Sequence, residues 1–457
     1  MILDNCTAVT LNGRREIVTG AAVAVVGDSI AAVGKSAEVR EQYPGEPVRD
    51  LHGWVVMPGL VDGHFHLPQT LLRGAADELP IPRWMGERIF PLEGAFTPED
   101  ARASARLAVL EMLKAGTTAF LETLILGRHG LDELSEAIAE TGIRAVLPRG
   151  VTDGGGYLDS APLHGGLEES PDEALADAVA VAARWKGSDR IRIWLGPRST
   201  GGCSEELLRR MVELARAEGM GLCQHYAQSA GEPGFIRERF GASQGEFLER
   251  LGMLGPDVVL LHCTALEPED IEALRGTGTH VVHCPTGPAK VGNAVTPVHE
   301  LLQAGVNVAL GSDGAPANNG CDMIRDLKWV GYLQKLRQRD ATVVPAETIL
   351  EMATLGGARA LGLDGLTGSI EPGKRADLIV IRTDGPHWTP NLNWVSNLVY
   401  ASSGADVDTV IVDGDVLMEG RELKKLDEER IIRGARERSA GVFARAGVEV
   451  PQPWPVL

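Results

Sequence analysis

The chain has 457 residues, of which 44% are hydrophobic, 23% are charged and 5% are aromatic. These proportions are typical of a folded globular protein, and they exclude a disordered chain, a collagen-like repeat and a disulfide-stapled miniprotein. Its 44 basic and 63 acidic residues give a formal net charge of −19. Nucleic acid and anionic membranes are therefore poor candidates as partners, because binding to phosphates requires the opposite balance of charge.

The N-terminal segment has neither the apolar core of a secretory signal nor the Arg/Ser-rich pattern of an organellar presequence. No segment approaches the ~20 consecutive apolar residues of a membrane span. The six cysteines are spread singly, without a Cys-x-x-Cys pair, so neither a zinc knuckle nor a disulfide framework is expected. These features favour a protein of the reducing cytoplasm.

Residues 1–57 contain short Val/Ala/Ile-rich runs broken by turn residues such as Gly27-Asp28, which predicts short antiparallel strands. From Pro58 to about residue 367, apolar runs of four to six residues alternate with helical periodicity. Helix starts are marked by Thr97-Pro98, Ser170-Pro171 and Ser204-Glu205, where a capping side chain precedes the first turn. This βαβα order contains eight predicted strands: Leu60–His64, Thr117–Glu122, Ile143–Arg149, Ile191–Gly196, Gly221–His225, Val258–His262, His280–His283 and Asn307–Gly311.

Eight strand–helix units in about 300 residues predict a (β/α)₈ TIM barrel. Residues 368–457 return to a strand-and-turn pattern, with Asp413-Gly414 as a hairpin turn. We therefore expect residues 1–57 and the strands of 368–457 to form one composite β-sandwich domain beside the barrel of residues 58–367. The charged segment from about Leu426 has an apolar stripe and predicts a helix docked on the surface.

Polar residues lie where the predicted strands end. The first strand ends in His64-Phe65-His66, the fifth in His225, the sixth in His262 and the seventh in His283, and the eighth leads into Asp313. The carboxyl ends of barrel strands converge on one face. Three imidazoles and a carboxylate are a ligand set suited to zinc or iron, with a position left for a nucleophilic water.

These segments resemble a known family. VVMPGLVDGHFHLPQTLLRG and GSIEPGKRADLIVI are similar to segments of the amidohydrolase superfamily. GTGTHVVHCPTGPAKVG, AGVNVALGSDGAPANNGCDM and VDTVIVDGDVLMEGREL are similar to its branch of cytosine, guanine and adenosine-derivative deaminases and s-triazine hydrolases. The resemblance implies a metal-dependent hydrolase, and homodimers are common in this family.

By resemblance, the ligands of one divalent metal ion are His64, His66, His225 and Asp313, with zinc preferred and iron as the alternative. Binuclear members carry a carboxylated lysine on strand four, and RIRIWLGPRSTGG has no lysine. The resemblance makes Asp313 and His262 the catalytic residues. Asp313 would take a proton from the attacking water and pass it to the leaving group, while His262 would orient the water and the substrate.

Two positions depart from the family. The deaminases place a proton-donating Glu three residues after the strand-five histidine, where this chain has Gln228. Glutamine cannot shuttle a proton, so either the chemistry differs or Gln228 only holds the substrate while His262 and Asp313 carry the protons. Relatives often have Pro-His on strand four, where this chain has Pro197-Arg198. Arg198 could bind a carboxylate or a polar ring edge of the substrate, or it could pair with an acid of the wall, which we favour slightly because the chain has 63 acidic residues.

Other residues are expected near the substrate. Gln69 and Trp84 resemble substrate-contact positions in the loop after the first strand, and His283 and Asn318 complete the predicted substrate-binding set, although Asn318 could instead shape its loop. Glu122 could reach the cavity or form a buried salt bridge, the reading we favour. Strand alternation predicts that Cys263 and Cys284 turn away from the metal.

The function expected is hydrolysis of a C–N bond, other than a peptide bond, in a small nitrogen-containing compound. The candidate substrates are an amino-heterocycle, an amide, a urea or a carbamate. One alternative is an s-triazine-type hydrolase that expels halide, thiolate or alkylamine. An alternative from another class is a non-catalytic binding or assembly protein, which would typically have lost its metal ligands.

Overall fold

The computed structural model describes residues 1–154, 167, 169–452 and 454. Its N-terminal part supplies five strands of a nine-stranded sheet. The strands are β1 (Ile2–Val9), β2 (Ile17–Val26), β3 (Ser29–Lys35), β4 (Val48–Asp50) and β5 (Val55–Pro58), with helix α1 (Ser36–Gln42) between β3 and β4. The pairs β1–β2 and β2–β3 are antiparallel, as predicted, whereas β4 and β5 each pair with β1 in parallel.

The next eight strands form the predicted parallel barrel. In chain order they are β6 (Leu60–Phe65), β7 (Thr117–Glu122), β8 (Arg144–Val151), β9 (Ile191–Pro197), β10 (Leu222–Tyr226), β11 (Val258–His262), β12 (His280–His283) and β13 (Asn307–Leu310). Each strand pairs with the next along the chain. The predicted strands coincide with these to within two residues at each end, and the barrel fold is confirmed.

The ring is closed between β13 and β6 by contacts just beyond the end of β13. The Asp313 backbone N–H donates to the His64 carbonyl at 2.9 Å. A Cβ placed on Gly311 would lie 2.6 Å from the His64 Cβ, so only glycine allows the two strands to approach this closely. The closure therefore lies at the level of two predicted metal ligands.

Helices connect the strands and cover the barrel. They are α2 (Ile81–Trp84), α3 (Phe90–Gly94), α4 (Pro98–Lys114), α5 (Leu131–Ala139), α6 (Pro171–Trp185), α7 (Glu205–Glu218), α8 (Glu232–Phe240), α9 (Gln244–Leu251), α10 (Pro268–Leu274), α11 (Thr286–Lys290), α12 (Val298–Gln303), α13 (Ala315–Asn318), α14 (Met323–Gln338), α15 (Ala346–Glu351) and α16 (Gly357–Ala360). Short 3₁₀ segments span Leu67–Leu72 and Gly127–His129, and π-helical turns span Met85–Ile89 and Met352–Gly356.

The predicted helix starts are confirmed. The side chains of Thr97, Ser170 and Ser204 each accept a hydrogen bond from the backbone N–H three residues later, at the first turns of α4, α6 and α7. These bonds satisfy donors that have no partner inside the helix.

The C-terminal part returns to the first sheet. Strands β14 (Leu378–Ile381), β15 (Val407–Val412), β16 (Asp415–Glu419) and β17 (Glu422–Leu423) extend it antiparallel from β5, so both chain ends build one nine-stranded sheet. The same part carries α17 (Trp394–Tyr400), α18 (Glu428–Ala446) and 3₁₀ segments at Pro386–Trp388 and Gly404–Asp406. The predicted composite β-domain is confirmed, while the division at residues 57 and 367 stays a prediction.

Helix α18 docks as its apolar stripe predicted. Arg438 and Arg445 form ion pairs with the buried Asp100 of α4. The Ser439 hydroxyl donates to the Leu71 carbonyl at 2.8 Å. In the described residues, no helix is both long and apolar enough to cross a membrane.

A buried ion-pair network joins the barrel to the sheet. The Arg144 guanidinium, whose side chain is 2% exposed, contacts Asp377 at 2.9 Å and Asp413 at 2.7 Å. The Asp413 carboxylate also binds Arg190 at 2.8 Å. Arg144 begins β8, Asp377 precedes β14 and Asp413 follows β15, at the same end of this antiparallel pair. The network therefore ties the barrel to the sheet.

We expect Arg144→Met to lower the free energy of unfolding by about 3–5 kcal/mol, because it leaves two buried carboxylates without their shared cation. Urea denaturation followed by circular dichroism measures this change. The matched control is Arg184→Met, since the Arg184 side chain is 51% exposed and exposed ion pairs contribute about 0–1 kcal/mol. Equal effects of the two substitutions would contradict the importance of the buried network.

Candidate active site

Five predicted residues converge at the carboxyl ends of the barrel strands. The His64 Nε2 lies 3.3 Å from an Asp313 carboxylate oxygen, and the His66 Nε2 lies 3.8 Å from the same oxygen. The His225 Nε2 lies 3.3 Å from the His66 Nε2. The His262 ring centre is 4.9 Å from that of His64. Residues up to 249 positions apart in the sequence (313 − 64 = 249) thus form one cluster.

Hydrogen bonds orient two of these imidazoles. The His64 Nδ1 lies 2.5 Å from the Thr123 hydroxyl oxygen, and that hydroxyl donates onward to the Phe65 carbonyl. The His225 Nδ1 lies 3.1 Å from the Arg198 carbonyl, which can only accept. Both Nδ1 atoms therefore carry the proton, and both Nε2 lone pairs point to the centre of the cluster.

The cluster fits a metal ion. The ring nitrogens of His64, His66 and His225 lie within 4.8 Å of one another. The His64 Nε2 is buried without a hydrogen-bond partner in the described structure, which is costly unless another group satisfies it. Three imidazole nitrogens and the Asp313 carboxylate are a donor set typical of zinc or iron.

The protonation states of the clustered side chains also suit metal binding. Burial lowers the pKa of His66 to about 3 and that of His262 to about 4, so both rings are neutral at pH 7. Burial alone would raise the pKa of Asp313, but contact with His64 and the neighbouring His262 and His66 hold it below its ordinary value. The site therefore offers neutral nitrogen donors and an ionised carboxylate.

The backbone is strained around these residues. His262, Cys263 and Asp313 have φ angles of +68°, +53° and +65°, and Ala227 after the His225-Tyr226 pair has +47°. Residues other than glycine rarely occupy this region, and such residues cluster at functional sites. The strain lies at the ends of β10, β11 and β13, where the chain leaves the barrel.

Two adjoining cavities open onto the cluster. The empty volume of the first cavity is about 620 Å³ and that of the second is about 360 Å³, and both include space that is open to solvent. Both are lined by Trp84, Gln228 and Asp313. The first cavity adds these side chains: His66, Gln69, Met85, Glu93, Leu124, Arg198, Ser199 and His225. The second adds these: Ile81, His262, Gly287, Pro288, Val291, Asn293 and Ala317. The first is therefore rich in charged and polar groups, and the second is mostly apolar.

Four of the six predicted substrate contacts, Gln69, Trp84, Arg198 and Gln228, line these cavities. The other two do not line either cavity. The Asn318 amide donates to the Ser312 carbonyl at 2.9 Å and to Asp326 at 2.7 Å. Asn318 thus shapes the loop that carries Asp313, which was the alternative reading for this residue.

The register of β12 differs from our expectation. Val282 and Cys284 both belong to the apolar cluster inside the barrel, so alternation turns His283 away from the interior. The His283 Nδ1 instead lies 3.0 Å from the Thr296 hydroxyl oxygen. The Cys284 sulfur lies within 4.8 Å of ring nitrogens of His64 and His262, so the prediction that it turns away from the cluster is wrong. Cys263 belongs to the large hydrophobic core, which agrees with the packing role expected for it.

The two readings of Arg198 are separated by the structure. Its side chain forms no ion pair within the described residues, and its Nη1 is buried without a hydrogen-bond partner. Pairing with an acid of the wall is therefore not observed. The guanidinium lies over the Phe90 ring, 4.4 Å from its centre.

Glu122 does not form the buried salt bridge that we favoured. Its carboxylate accepts backbone N–H bonds from Leu67 at 2.5 Å and Leu124 at 3.2 Å. Burial raises the pKa of Glu122 to about 8. The carboxyl group thus anchors the loops that follow β6 and β7, and it does not line either cavity.

Sequence reasoning missed Glu93 and Thr123. Glu93 lines the first cavity, accepts a hydrogen bond from the Gln69 amide at 2.8 Å, and has a pKa raised by burial. It lies in the five-residue helix α3, which is too short to show a helical periodicity, so no sequence pattern marks it. Thr123 directly follows the second predicted strand, and its position at a strand end was the available signal.

Glu232 organises the loop that carries Gln228. Its carboxylate is buried and accepts the Gln228 backbone N–H at 2.7 Å. Burial raises the pKa of Glu232 from 4.5 to about 7. The folded protein thus keeps this proton up to about pH 7, while the unfolded chain loses it near pH 4.5. Stability from this group is full at low pH and falls as the pH rises between these values.

We expect Glu232→Gln to remove the loss of stability that wild type shows between pH 4.5 and 7. The glutamine side chain keeps a carbonyl oxygen to accept the Gln228 N–H, and it does not ionise. Relative to wild type, the variant should gain up to about 3 kcal/mol in free energy of unfolding as the pH rises from 4.5 to 7. Urea denaturation at pH 4.5, 6 and 7 measures the difference. Glu38→Gln, on the exposed face of α1, is the control. A difference independent of pH would contradict the raised pKa.

The barrel, the cluster of histidines with one aspartate, and the flanking composite sheet are together typical of a class of metal-dependent hydrolases. Residues 55–417 match the amidohydrolase family, to which this chain belongs. It is an enzyme that hydrolyses C–N bonds other than peptide bonds. Residues 21–45 also match the imidazolonepropionase-like composite domain of bacteria, within the flanking sheet.

Relatives along nearly the whole chain are deaminases. The chain is 37% identical over 433 residues to 5-methylthioadenosine/S-adenosylhomocysteine deaminase of Moorella thermoacetica, covering 94% of this chain and 97% of the relative. It is 35% identical to 5'-deoxyadenosine deaminase of Methanosarcina mazei, covering 97% and 99%. Among solved structures, an adenosine deaminase from Xanthomonas campestris with bound zinc has a TM-score of 0.91 at 30% identity, covering 97% of this chain and 98% of that one.

Proposed function

We propose that the protein uses one zinc ion, held by His64, His66, His225 and Asp313, to hydrolyse a C–N bond in a small amino-substituted compound. The observation that carries the proposal is the convergence of three imidazole nitrogens on one ionised carboxylate. Of these groups, His66, His225 and Asp313 line the first cavity, and Asp313 also lines the second. A non-catalytic relative would have no need to keep all four donors in this arrangement.

The chain's own residues supply the proton transfers and the orientation of the substrate. When bound, zinc supplies a Lewis acid that lowers the pKa of water from 15.7 to about 7. Asp313, ionised and lining both cavities, accepts a proton from the attacking water and returns it to the leaving nitrogen. His262 has both ring nitrogens buried without partners in the described structure, so they are available to orient the water and the substrate.

The substrate is proposed to differ from those named for the relatives. A purine ring must gain a proton on nitrogen while the neighbouring carbon is attacked, and Gln228 cannot donate one as an acid. We therefore favour an amino-heterocycle that needs no acid at this position, or a linear amide, urea or carbamate. His262 and Asp313 are the remaining proton carriers within reach of the cavities.

The proposal includes a cytoplasmic homodimer. The six cysteines are all free and buried, which is compatible with a reducing compartment. Light scattering on the purified protein, at concentrations spanning two orders of magnitude, measures the subunit number. A monomer at every concentration would contradict the dimer without affecting the proposed chemistry.

Product identification tests the reaction. Zinc-loaded protein is incubated with aminopurines, aminopyrimidines, s-triazines, aryl ureas and carbamates, and the products are identified by mass spectrometry. The expected result is replacement of an amino nitrogen by oxygen, or cleavage of a linear C–N bond, in at least one compound class. Release of halide or thiolate alone would instead support the s-triazine-type alternative, and no reaction in zinc-saturated protein would contradict the proposal.

A further inference from the structure

We propose that the substrate carries a carboxylate, which binds to Arg198 while the C–N bond under attack lies against Asp313. The inference rests on the proposed function, and it adds the chemical class of the substrate. It is argued from the position and surroundings of this arginine.

The Arg198 side chain is a cation without a carboxylate partner in the described structure. The residue is 8% exposed, and its Nη1 is buried without a hydrogen bond. One face of the guanidinium is covered by the Phe90 ring at 4.4 Å, which leaves its edge for hydrogen bonding. Burying an unpaired cation is costly, whereas a carboxylate can accept two parallel hydrogen bonds from the guanidinium edge.

The first cavity also contains the carboxyl groups of Glu93 and Asp313, and neither forms an ion pair with Arg198 in the described structure. Glu93 accepts a hydrogen bond from Gln69 at 2.8 Å. Burial raises the pKa of Glu93, and the nearby Arg198 guanidinium counteracts part of this rise without contacting the carboxyl group directly. The remaining titratable groups of this wall are His66 and His225, whose pKa values burial lowers, and Asp313. The guanidinium edge is thus the group of this cavity best suited to an anion.

The backbone places Arg198 beside the reaction centre. Arg198 directly follows β9, and its carbonyl orients the His225 ring at 3.1 Å. Arg198, His225 and Asp313 line the same cavity. A small molecule held by its carboxylate at Arg198 can therefore present a neighbouring carbon to the cluster, as positioned binding groups do in other enzymes.

The second cavity defines the rest of the molecule. Ile81, Pro288 and Val291 make its wall mostly apolar, and it meets the first cavity at Trp84, Gln228 and Asp313. A substrate with its carboxylate in the first cavity would therefore extend an uncharged substituent toward the second. The attacked carbon lies between them, where Asp313 lines both.

The test compares matched pairs that differ only in a carboxylate. Each pair consists of a carboxylate and its primary amide. The three carboxylates are 4-aminopyrimidine-5-carboxylate, 4-ureidobutyrate and N-ethoxycarbonylglycine. Binding to zinc-loaded wild type and to Arg198→Met is measured by calorimetry, and KM and kcat are measured for any pair that is turned over. We expect at least one carboxylate to bind wild type about tenfold or more tightly than its amide, and Arg198→Met to abolish that preference without weakening amide binding.

Two variants control the experiment. Arg198→Lys keeps the charge and loses the planar pair of donors, so it should retain part of the preference. Arg209→Met, on the exposed face of α7, should change nothing. Arg198→Met keeps the backbone carbonyl that orients His225, so we expect this variant to bind zinc. Zinc content is measured for every variant to check this. If Arg198→Met binds less zinc than wild type, the proposal is judged on Arg198→Lys instead. A ratio of carboxylate to amide affinity below that of wild type would then support the proposal, and an unchanged ratio would overturn it.

The outcomes separate the two proposals. The inference is overturned if no pair shows a carboxylate preference in wild type, or if the preference survives in Arg198→Met. Hydrolysis of the amides with no such preference would leave the proposed function standing and remove this inference. An Arg198-dependent preference without hydrolysis of any compound would support the anion site and count against the proposed function.

Discussion

His225→Ala and Asp313→Ala are expected to lower kcat/KM by about 10³-fold or more while the fold is kept. Each substitution removes one donor from the proposed metal ligands, and bound metal supplies several kcal/mol of transition-state stabilisation. Asp313→Ala also removes the proposed proton acceptor. These two variants should therefore show the largest losses of activity in the protein.

The fold should survive because neither side chain supports the core. The His225 ring makes one hydrogen bond to the backbone, with the Arg198 carbonyl. The Asp313 carboxylate accepts the Gly314 N–H at 2.6 Å, and one such bond contributes about 1 kcal/mol. Circular dichroism melting curves measure the fold, and elemental analysis measures zinc per chain, which we expect to fall in both variants.

His299→Ala and Asp364→Ala are the matched controls, because both residues lie outside the cluster and line neither cavity. They should retain wild-type zinc content and activity. Unchanged activity in His225→Ala or Asp313→Ala would overturn the metal-site assignment. A lost fold in both would instead require the more conservative His225→Gln and Asp313→Asn to be compared.

The barrel was predictable because its strands are short apolar runs bounded by clear helix signals, as at Thr97 and Ser204. Convergence of His64, His225 and Asp313 followed from the geometry of a barrel, which brings strand ends together irrespective of sequence distance. The sequence therefore carried the information for the cluster in the form of residue type and strand position.

The remaining features depend on tertiary contacts that no local pattern encodes. We expected His283 to face the site and Cys284 to turn away from it, and the structure shows the opposite. A shift of one residue along β12 decides which of the two side chains enters the barrel. Glu93 reaches the cavity from the short helix α3, whose five residues carry no periodic pattern. The chain has 63 acidic residues, and any of them could have paired with Arg198. Only the structure shows that no described carboxylate forms an ion pair with its guanidinium.

Gln228→Glu is expected to increase deamination of purine nucleosides by about 10²–10⁴-fold, the contribution typical of a positioned general acid. Gln228 lies three residues after His225 and lines both cavities next to Asp313. A carboxyl group introduced there would be partly buried and near an ionised Asp313, and both effects raise its pKa and keep it protonated near pH 7. It would then hold a proton where a ring nitrogen can accept it.

The measurement is the conversion of 5'-deoxyadenosine and S-adenosylhomocysteine to their 6-oxo products by zinc-loaded protein, followed by mass spectrometry. Gln303→Glu, at an exposed position on α12, adds the same charge away from the site and should leave the rate unchanged. If Gln228→Glu also leaves the rate unchanged while wild type already deaminates these compounds, then His262 and Asp313 carry every proton and Gln228 only holds the substrate. A large gain would show that the other proposed catalytic residues are sufficient for purine deamination once an acid is present at position 228. Gln228 would then be the cause of the difference in substrate between this chain and the adenosine-derivative deaminases.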